Sequence, residues 1–322
     1  MKILITGNLG YIGPTLCDSL IRAGHEVRGL DRGLYLRFIT GPVAFSDQFI
    51  GDIRDHRAVI GALDACDAVI HLAGMANDPL GDLDEKITRE VNFTASCSLI
   101  DAAGDRPFIF YSSASVYGSN PHICDESAPV NPLTIYARMK YEVERYLAGR
   151  PKTLILRNGT VHGPSANMRG DLMINAMVAS AVTSGQIVVT TRPETRRPII
   201  DVRDLAALTV SFLNLGATGT INMATGNIPV GVAASLVAEE TGASVVHESA
   251  GADRRDYAVD PSRMIQLVPE SWAPVSIQKS IRDIVALYRD SGLTAEDVRT
   301  KKFHRLRQYL AHRLGQYLGG ES

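Results

Sequence analysis

Two spacings of apolar residues alternate along the first half of the chain. Short, nearly continuous apolar runs recur at 2–6, 26–31, 45–50, 67–74, 107–111 and 152–156. Runs of this length, rich in β-branched and aromatic residues, predict buried strands, and their continuity suits a parallel sheet covered on both faces. Between them the apolar positions fall three and four apart, as from Tyr11 to Ala23, where Gly24 closes the stretch. Strands alternating with helices from residue 1 to about 165 predict an α/β fold with a doubly wound parallel sheet.

Beyond residue 165 the pattern loosens. Pro193, Pro198, Pro229 and Pro261 interrupt shorter elements. Residues 166–293 are expected to form a smaller mixed α/β lobe over the carboxyl ends of the strands. One segment, about 198–215, is expected to return to the first domain as a sheet-packed helix. From 294 to 322 a tail places Phe303, Leu306, Leu310, Leu314 and Leu318 on one helical stripe among lysines and arginines. Packing on its own protein or a second subunit is the expected use of that stripe, ahead of a membrane surface.

Composition narrows the class. The 322 residues are 45% hydrophobic and 21% charged with a net charge of −2, an ordinary globular balance that gives no reason to expect nucleic acid. Cys17, Cys66, Cys97 and Cys124 are scattered with no C-x-x-C pair, so neither a metal site nor a disulfide framework is expected. With no run of about 18 apolar residues and a strand at the amino terminus, the expected setting is reduced and cytoplasmic.

Two stretches carry chemistry. The run Gly7-Asn-Leu-Gly10-Tyr11-Ile12-Gly13 lies between a strand and a helix, where backbone N–H groups and a helix N-terminus suit a pyrophosphate. Asp31 ends the next strand about 20 residues on, the place of a ribose-binding carboxylate, and favours NAD over NADP. The neighbouring Arg32 is a cation able to take a phosphate. Asp52 and Ile53 are placed to meet an adenine, and Asp55 to cap a helix. The second stretch is Tyr136-Ala-Arg-Met-Lys140, whose phenol and ammonium share a helix face one turn apart, so that the ammonium favours phenolate. Ser113, at the end of the strand near 107–111, is placed to share a substrate oxygen with that phenol.

Taken in order, T-G-x-x-G-x-x-G at Thr6–Gly13, Asp31, Gly51-Asp52, His71-Leu-Ala-Gly74, Ser112-Ser113 with Val116-Tyr117-Gly118, Tyr136 with Lys140, and Leu156-Arg157 through Pro164 make a pattern. Arg197-Pro-Ile-Ile-Asp201-Val with Asp204 extends it. Over roughly residues 1–290 the chain resembles the extended short-chain dehydrogenases/reductases of the NAD-dependent epimerase/dehydratase group, which act on nucleotide-sugars. The resemblance implies a Rossmann-like domain at 1–165, a substrate lobe, bound NAD, and a homodimer paired through helices near 90–104 and 135–148. It implies Tyr136, Lys140 and Ser113 as catalytic. Gly7, Gly10, Tyr11, Ile12, Gly13, Asp31, Arg32, Asp52, Ile53, Leu72, Ala73 and Gly74 would hold the cofactor together with Tyr136 and Lys140. Ser113, Ser115, Tyr136, Thr160, Asn175, Arg197 and Arg255 (or Arg254) would hold the sugar nucleotide.

The family's 4,6-dehydratases carry Asp-Glu after the serine or threonine, where this chain has Ala114-Ser115. The resemblance therefore favours epimerisation, at C4, over dehydration. A nucleotide-sugar reductase or dehydrogenase, or a dehydratase, is the alternative within the family, and a non-catalytic dinucleotide-binding member the alternative outside enzymes. His122, Cys124, Asp125 and His162 lie in segments near the expected pocket, where solvated or internally satisfied roles are favoured.

Overall fold

The computed structural model describes residues 1–35, 47–76, 84–248 and 255–299. At its centre are seven parallel strands: β1 (Lys2–Thr6), β2 (Glu26–Asp31), β3 (Asp47–Ile50), β4 (Ala68–His71), β5 (Phe108–Ser113), β7 (Thr153–Asn158) and β11 (Gly219–Met223). Their spatial order is β3-β2-β1-β4-β5-β7-β11, so the order reverses between β1 and β4. In such sheets ligands sit outside the carboxyl ends of the strands at the reversal.

Helices α1 (Gly13–Arg22) and α7 (Val202–Asn214) pack together on one face, and α2 (His56–Leu63), α4 (Ala95–Ala103) and α5 (Ile135–Tyr146) cover the other. Ile3 and Ile5 of β1 point into the first core and Leu4 into the second, the period-two alternation of a strand buried on both faces. Asp55 caps α2 by accepting hydrogen bonds from the Arg57 and Ala58 amides.

The six strand signals correspond to six central strands, with residues 45 and 46 outside the described set. β4 stops at His71, earlier than expected, because Leu72–Gly74 turn along a cavity wall. The seventh strand, β11, was not anticipated. Its five residues begin at a glycine with φ +86° and pair with β7, although 60 residues separate the two strands. The sheet thus recruits both α7 and β11 from the second half of the sequence.

Further strands lie outside the central sheet. Strands β8 (Thr160–His162), β10 (Arg196–Asp201) and β12 (Gly226–Pro229) make a three-stranded sheet. Two parallel pairs join β6 (Ser119–Cys124) to β14 (Asp256–Val259) and β9 (Gln186–Val189) to β13 (Ser244–His247). Helices α6 (Met173–Ser184) and α8 (Val230–Thr241) pack on these strands, and α10 (Ile277–Asp290) packs on those two helices. Of the expected tail, Ala295–Arg299 is a short helix and residues 300–322 lie outside the described set. Among the described residues no helix is long and apolar enough to cross a membrane.

Candidate active site

The glycine loop wraps the carboxyl end of β1. Gly7 holds φ +75°, and a Cβ there would lie 2.6 Å from the Ala73 backbone nitrogen, so the close approach of loop and β4 turn admits only glycine. Gly13 serves packing, since a Cβ would lie 2.1 Å from the Asn8 carbonyl oxygen. The cavity that opens from this loop is lined by Gly7, Gly10, Tyr11 and Ile12, by Asp31 and Arg32, by Gly51–Ile53, and by Leu72–Ala76. Asp31 accepts from the Leu9 amide at 3.2 Å and the Gly33 amide at 2.8 Å, which sets its carboxylate at the rim of the loop.

Asp52 gathers two cations, Arg32 at 3.2 Å and Arg54 at 2.8 Å. Burial works against its charge, but hydrogen bonds from Arg54 and the nearby Arg32 hold its carboxyl below the ordinary range. Leu30, Leu34, Ile53, Ile87 and Val91 supply apolar surface. A π-helical turn, Glu90–Thr94, aims Asn92 at Met75: Oδ1 accepts the Met75 amide at 2.7 Å and Nδ2 donates to its carbonyl at 3.1 Å. Glycine backbone, an acidic rim and an apolar slot together fit an adenine dinucleotide.

A second cavity of about 620 Å³ opens at the carboxyl ends of β5 and β7. Ser113, Tyr136 and Lys140 all line it. Ser113 ends β5 and caps a 3₁₀ turn, Ala114–Tyr117, accepting from the Ser115 amide at 3.2 Å and the Ser115 hydroxyl at 2.8 Å. Thr134 caps α5 through the Ala137 amide, which puts Tyr136 in the first turn and Lys140 in the second. The Lys140 ammonium is buried, donates to the Tyr111 carbonyl at 2.7 Å, and lies 4.7 Å from the Phe110 ring centroid and 5.8 Å from that of Tyr136. Burial lowers its pKa to about 8, against the opposing pull of Glu144.

Behind this wall lies a buried polar network. The Ser112 hydroxyl donates to Glu144, whose carboxylate also takes Arg157 Nη2 at 2.8 Å. Arg157 Nη1 donates to the Tyr117 hydroxyl at 2.9 Å, which donates to Asn222 Oδ1 at 2.8 Å. The network joins β5, α5, β7 and β11 and holds the strand that carries Ser113.

Of the residues expected at the substrate, Ser115, Thr160, Arg197 and Arg255 line the second cavity. Asn175 does not, and its expected role is corrected. It is fully buried, its Oδ1 accepting the Gly163 amide and its Nδ2 donating to the Tyr11 hydroxyl and the Arg169 carbonyl. Helix α6 turns that side chain toward the glycine loop. His162 is buried against the Ser280 hydroxyl and Cys124, the last residue of β6, is buried beside Tyr117 and Val259, while Asp125 folds onto Ser127. Burial lowers the His162 pKa to about 4. Arg254 lies outside the described residues.

Among the lining residues that the sequence reading does not assign are Asn158, Arg169 and Asp171. Asn158 donates to the Ser112 carbonyl at 3.1 Å, and its buried Oδ1 has no hydrogen-bond partner among the described residues. Arg169 and Asp171 form a bidentate pair. Their R-x-D spacing is the signal available in the sequence, but such pairs are common on exposed turns.

The NAD dependent epimerase/dehydratase family model matches residues 3–224, a span that includes the glycine loop, Ser113, Tyr136 and Lys140. The chain belongs to that family. Its cofactor is NAD, which the geometry of the first cavity fits. A UDP-glucose 4-epimerase from Klebsiella pneumoniae is 34% identical over 145 residues, covering 38% of this chain and 96% of that enzyme. A UDP-glucose 4-epimerase from Streptomyces lividans is 31% identical over 176 residues, covering 52% of this chain and about half (53%) of the relative. The UDP-glucose 4-epimerase of Thermus thermophilus, solved in complex with NAD, superposes with a TM-score of 0.77 at 26% identity, covering 90% of this chain and 99% of that one.

Proposed function

We propose that the protein is an NAD-dependent nucleotide-sugar epimerase that inverts C4 of the sugar. One observation carries the reading: Ser113, Tyr136 and Lys140 share a wall of a cavity that meets the dinucleotide cavity at Tyr11, Ile12, Leu72, Gly74, Ala76 and Arg169. Bound NAD supplies reversible hydride acceptance, so that a sugar carbinol can pass through a ketone and be reduced from its other face. The chain's own residues handle the proton. Tyr136, as phenolate, takes it from the sugar hydroxyl and returns it to the ketone oxygen. Lys140 keeps a positive charge near that phenol, which favours the phenolate. Both lone pairs of the Ser113 oxygen are engaged by Ser115, so its own hydrogen is left to donate to the sugar oxygen as charge develops there.

Dehydration would need an acid and a base at neighbouring carbons. Ala114 and Ser115, next to Ser113, supply neither. Among the described residues lining the second cavity the acid is Asp171, and Arg169 chelates it. At the far end, Arg197 donates to the Arg255 carbonyl at 2.7 Å and lies 5.6 Å from the Tyr257 ring centroid, a cation suited to a diphosphate. Incubation with UDP-, dTDP-, GDP- and CDP-hexoses tests the reading. Conversion of one of them to its C4 epimer with unchanged mass is expected. A product lighter by one water, or a keto sugar released with one equivalent of reduced cofactor, would overturn it.

A further inference from the structure

We propose that Arg169 is a phosphoryl-binding residue, set at the junction of the two cavities by a strap that residues 163–167 lay across the glycine loop. Three hydrogen bonds make the strap. The Tyr11 hydroxyl donates to the Gly163 carbonyl at 2.7 Å, the Ser165 hydroxyl donates to the Tyr11 carbonyl at 2.6 Å, and Asn167 Nδ2 donates to the Leu9 carbonyl. All are buried, and Asn175 adds a fourth tie at 3.1 Å to the Arg169 carbonyl. The backbone that carries Arg169 is therefore fixed to the loop at the N-terminus of α1.

The side chain is equally constrained. Its Nε and Nη2 donate to the two Asp171 oxygens at 2.9 and 3.1 Å, with side-chain exposures of 9% and 3%. Burial disfavours the charged guanidinium, but Asp171 more than offsets this and keeps it protonated. A carboxylate gripping the Nε/Nη2 edge leaves both N–H groups of Nη1 and the second N–H of Nη2, and Nη1 makes no hydrogen bond to any described residue. Arg169 lines both cavities, beside Tyr11 and Ile12. Spare N–H donors and a positive charge beside a helix N-terminus match an anionic phosphoryl oxygen. Two ligands bring that chemistry to the junction: the pyrophosphate of the dinucleotide and the diphosphate of a sugar nucleotide. Only the second of these rests on the epimerase reading.

Titration calorimetry on Arg169→Gln, Arg169→Lys and Asp171→Asn tests the proposal, with NAD added first and UDP-glucose then added to the NAD-loaded protein. Arg169→Gln is expected to weaken one titration by about 10- to 100-fold, the loss for a charged hydrogen bond, with partial recovery in Arg169→Lys. Weakened NAD binding assigns the dinucleotide; weakened UDP-glucose binding with NAD unchanged assigns the sugar nucleotide. Asp171→Asn keeps the cation and is expected to bind at least as tightly as the native protein. The proposal is overturned if Arg169→Gln leaves both affinities within about twofold, or if Asp171→Asn loses as much affinity as Arg169→Gln, the mark of a purely structural ion pair. A native protein that binds NAD but no sugar nucleotide would count against the epimerase reading alone, and the NAD titration would still decide Arg169.

Discussion

Lys140 and Glu144, one turn apart on the same helix, grip successive residues of β5: the ammonium donates to the Tyr111 carbonyl at 2.7 Å, and the carboxylate accepts the Ser112 hydroxyl. The strand end that presents Ser113 and the helix that presents Tyr136 are thereby joined at two points. Because Arg157 also binds Glu144, the joint extends into β7. Hydroxyl, phenol and ammonium are held by backbone and buried charge, with little freedom left to the wall of the cavity.

The joint makes turnover sensitive to alkali. Burial lowers the Lys140 pKa to about 8, and Glu144 opposes that shift. The ammonium is present below this value and lost as pH rises through it, so activity is expected to fall through about pH 8. In Glu144→Gln the opposing charge is gone, and the alkaline limb of the pH–rate profile is expected about a unit lower. An unmoved limb would show that Glu144 acts only on packing.

Tyr136→Phe removes the proton carrier and keeps the ring. Turnover is expected to fall about 10²- to 10⁴-fold, while NAD affinity and melting temperature stay near the native values. Retained turnover would remove the phenol from the mechanism.

Cofactor choice is expected to reside in Asp31. Its carboxylate, held by the Leu9 and Gly33 amides, would repel a 2′-phosphate, and Arg32 is drawn to Asp52. Asp31→Ser is expected to lower the preference for NAD over NADP by about tenfold, one charge interaction of roughly 1.4 kcal/mol. Paired titrations with the two dinucleotides check this, and an unchanged ratio would place selectivity elsewhere.

Asp204 is 4% exposed and accepts the Val275 amide at 2.9 Å. Burial foremost, with the charge of Asp201 adding, raises its pKa from 3.8 to about 6. Between those values the folded protein holds the proton more tightly than the unfolded chain, so the cost of ionisation is complete above pH 6 and absent below 3.8. Asp204→Asn is expected to stabilise the protein at pH 7 by about 1–3 kcal/mol, with the gain fading toward pH 4. Equal melting differences at both pH values would contradict it.

Much of this arrangement is legible along the chain because local physics governs it. The continuous apolar runs mark the central strands, and the Tyr136–Lys140 spacing marks one helix face. β11 is hidden because it is short and finds its partner β7 across 60 residues of other structure. Asn175 misled for a related reason: its position on α6 gives no sign that the Gly163 amide and the Tyr11 hydroxyl will occupy its amide. Arg169 was missed because its meaning comes from the strap, which unites residues more than 150 positions apart.

The most direct test of the epimerase account follows the reacting hydrogen. A UDP-hexose deuterated at C4 is incubated with the protein in ordinary water, and the unlabelled sugar in deuterated water. The expected result is a C4-inverted product that keeps its own label and takes none from solvent, because the hydrogen leaves and returns within one active site. Deuterium from solvent at a carbon beside C4, or loss of the C4 label without inversion, would contradict it.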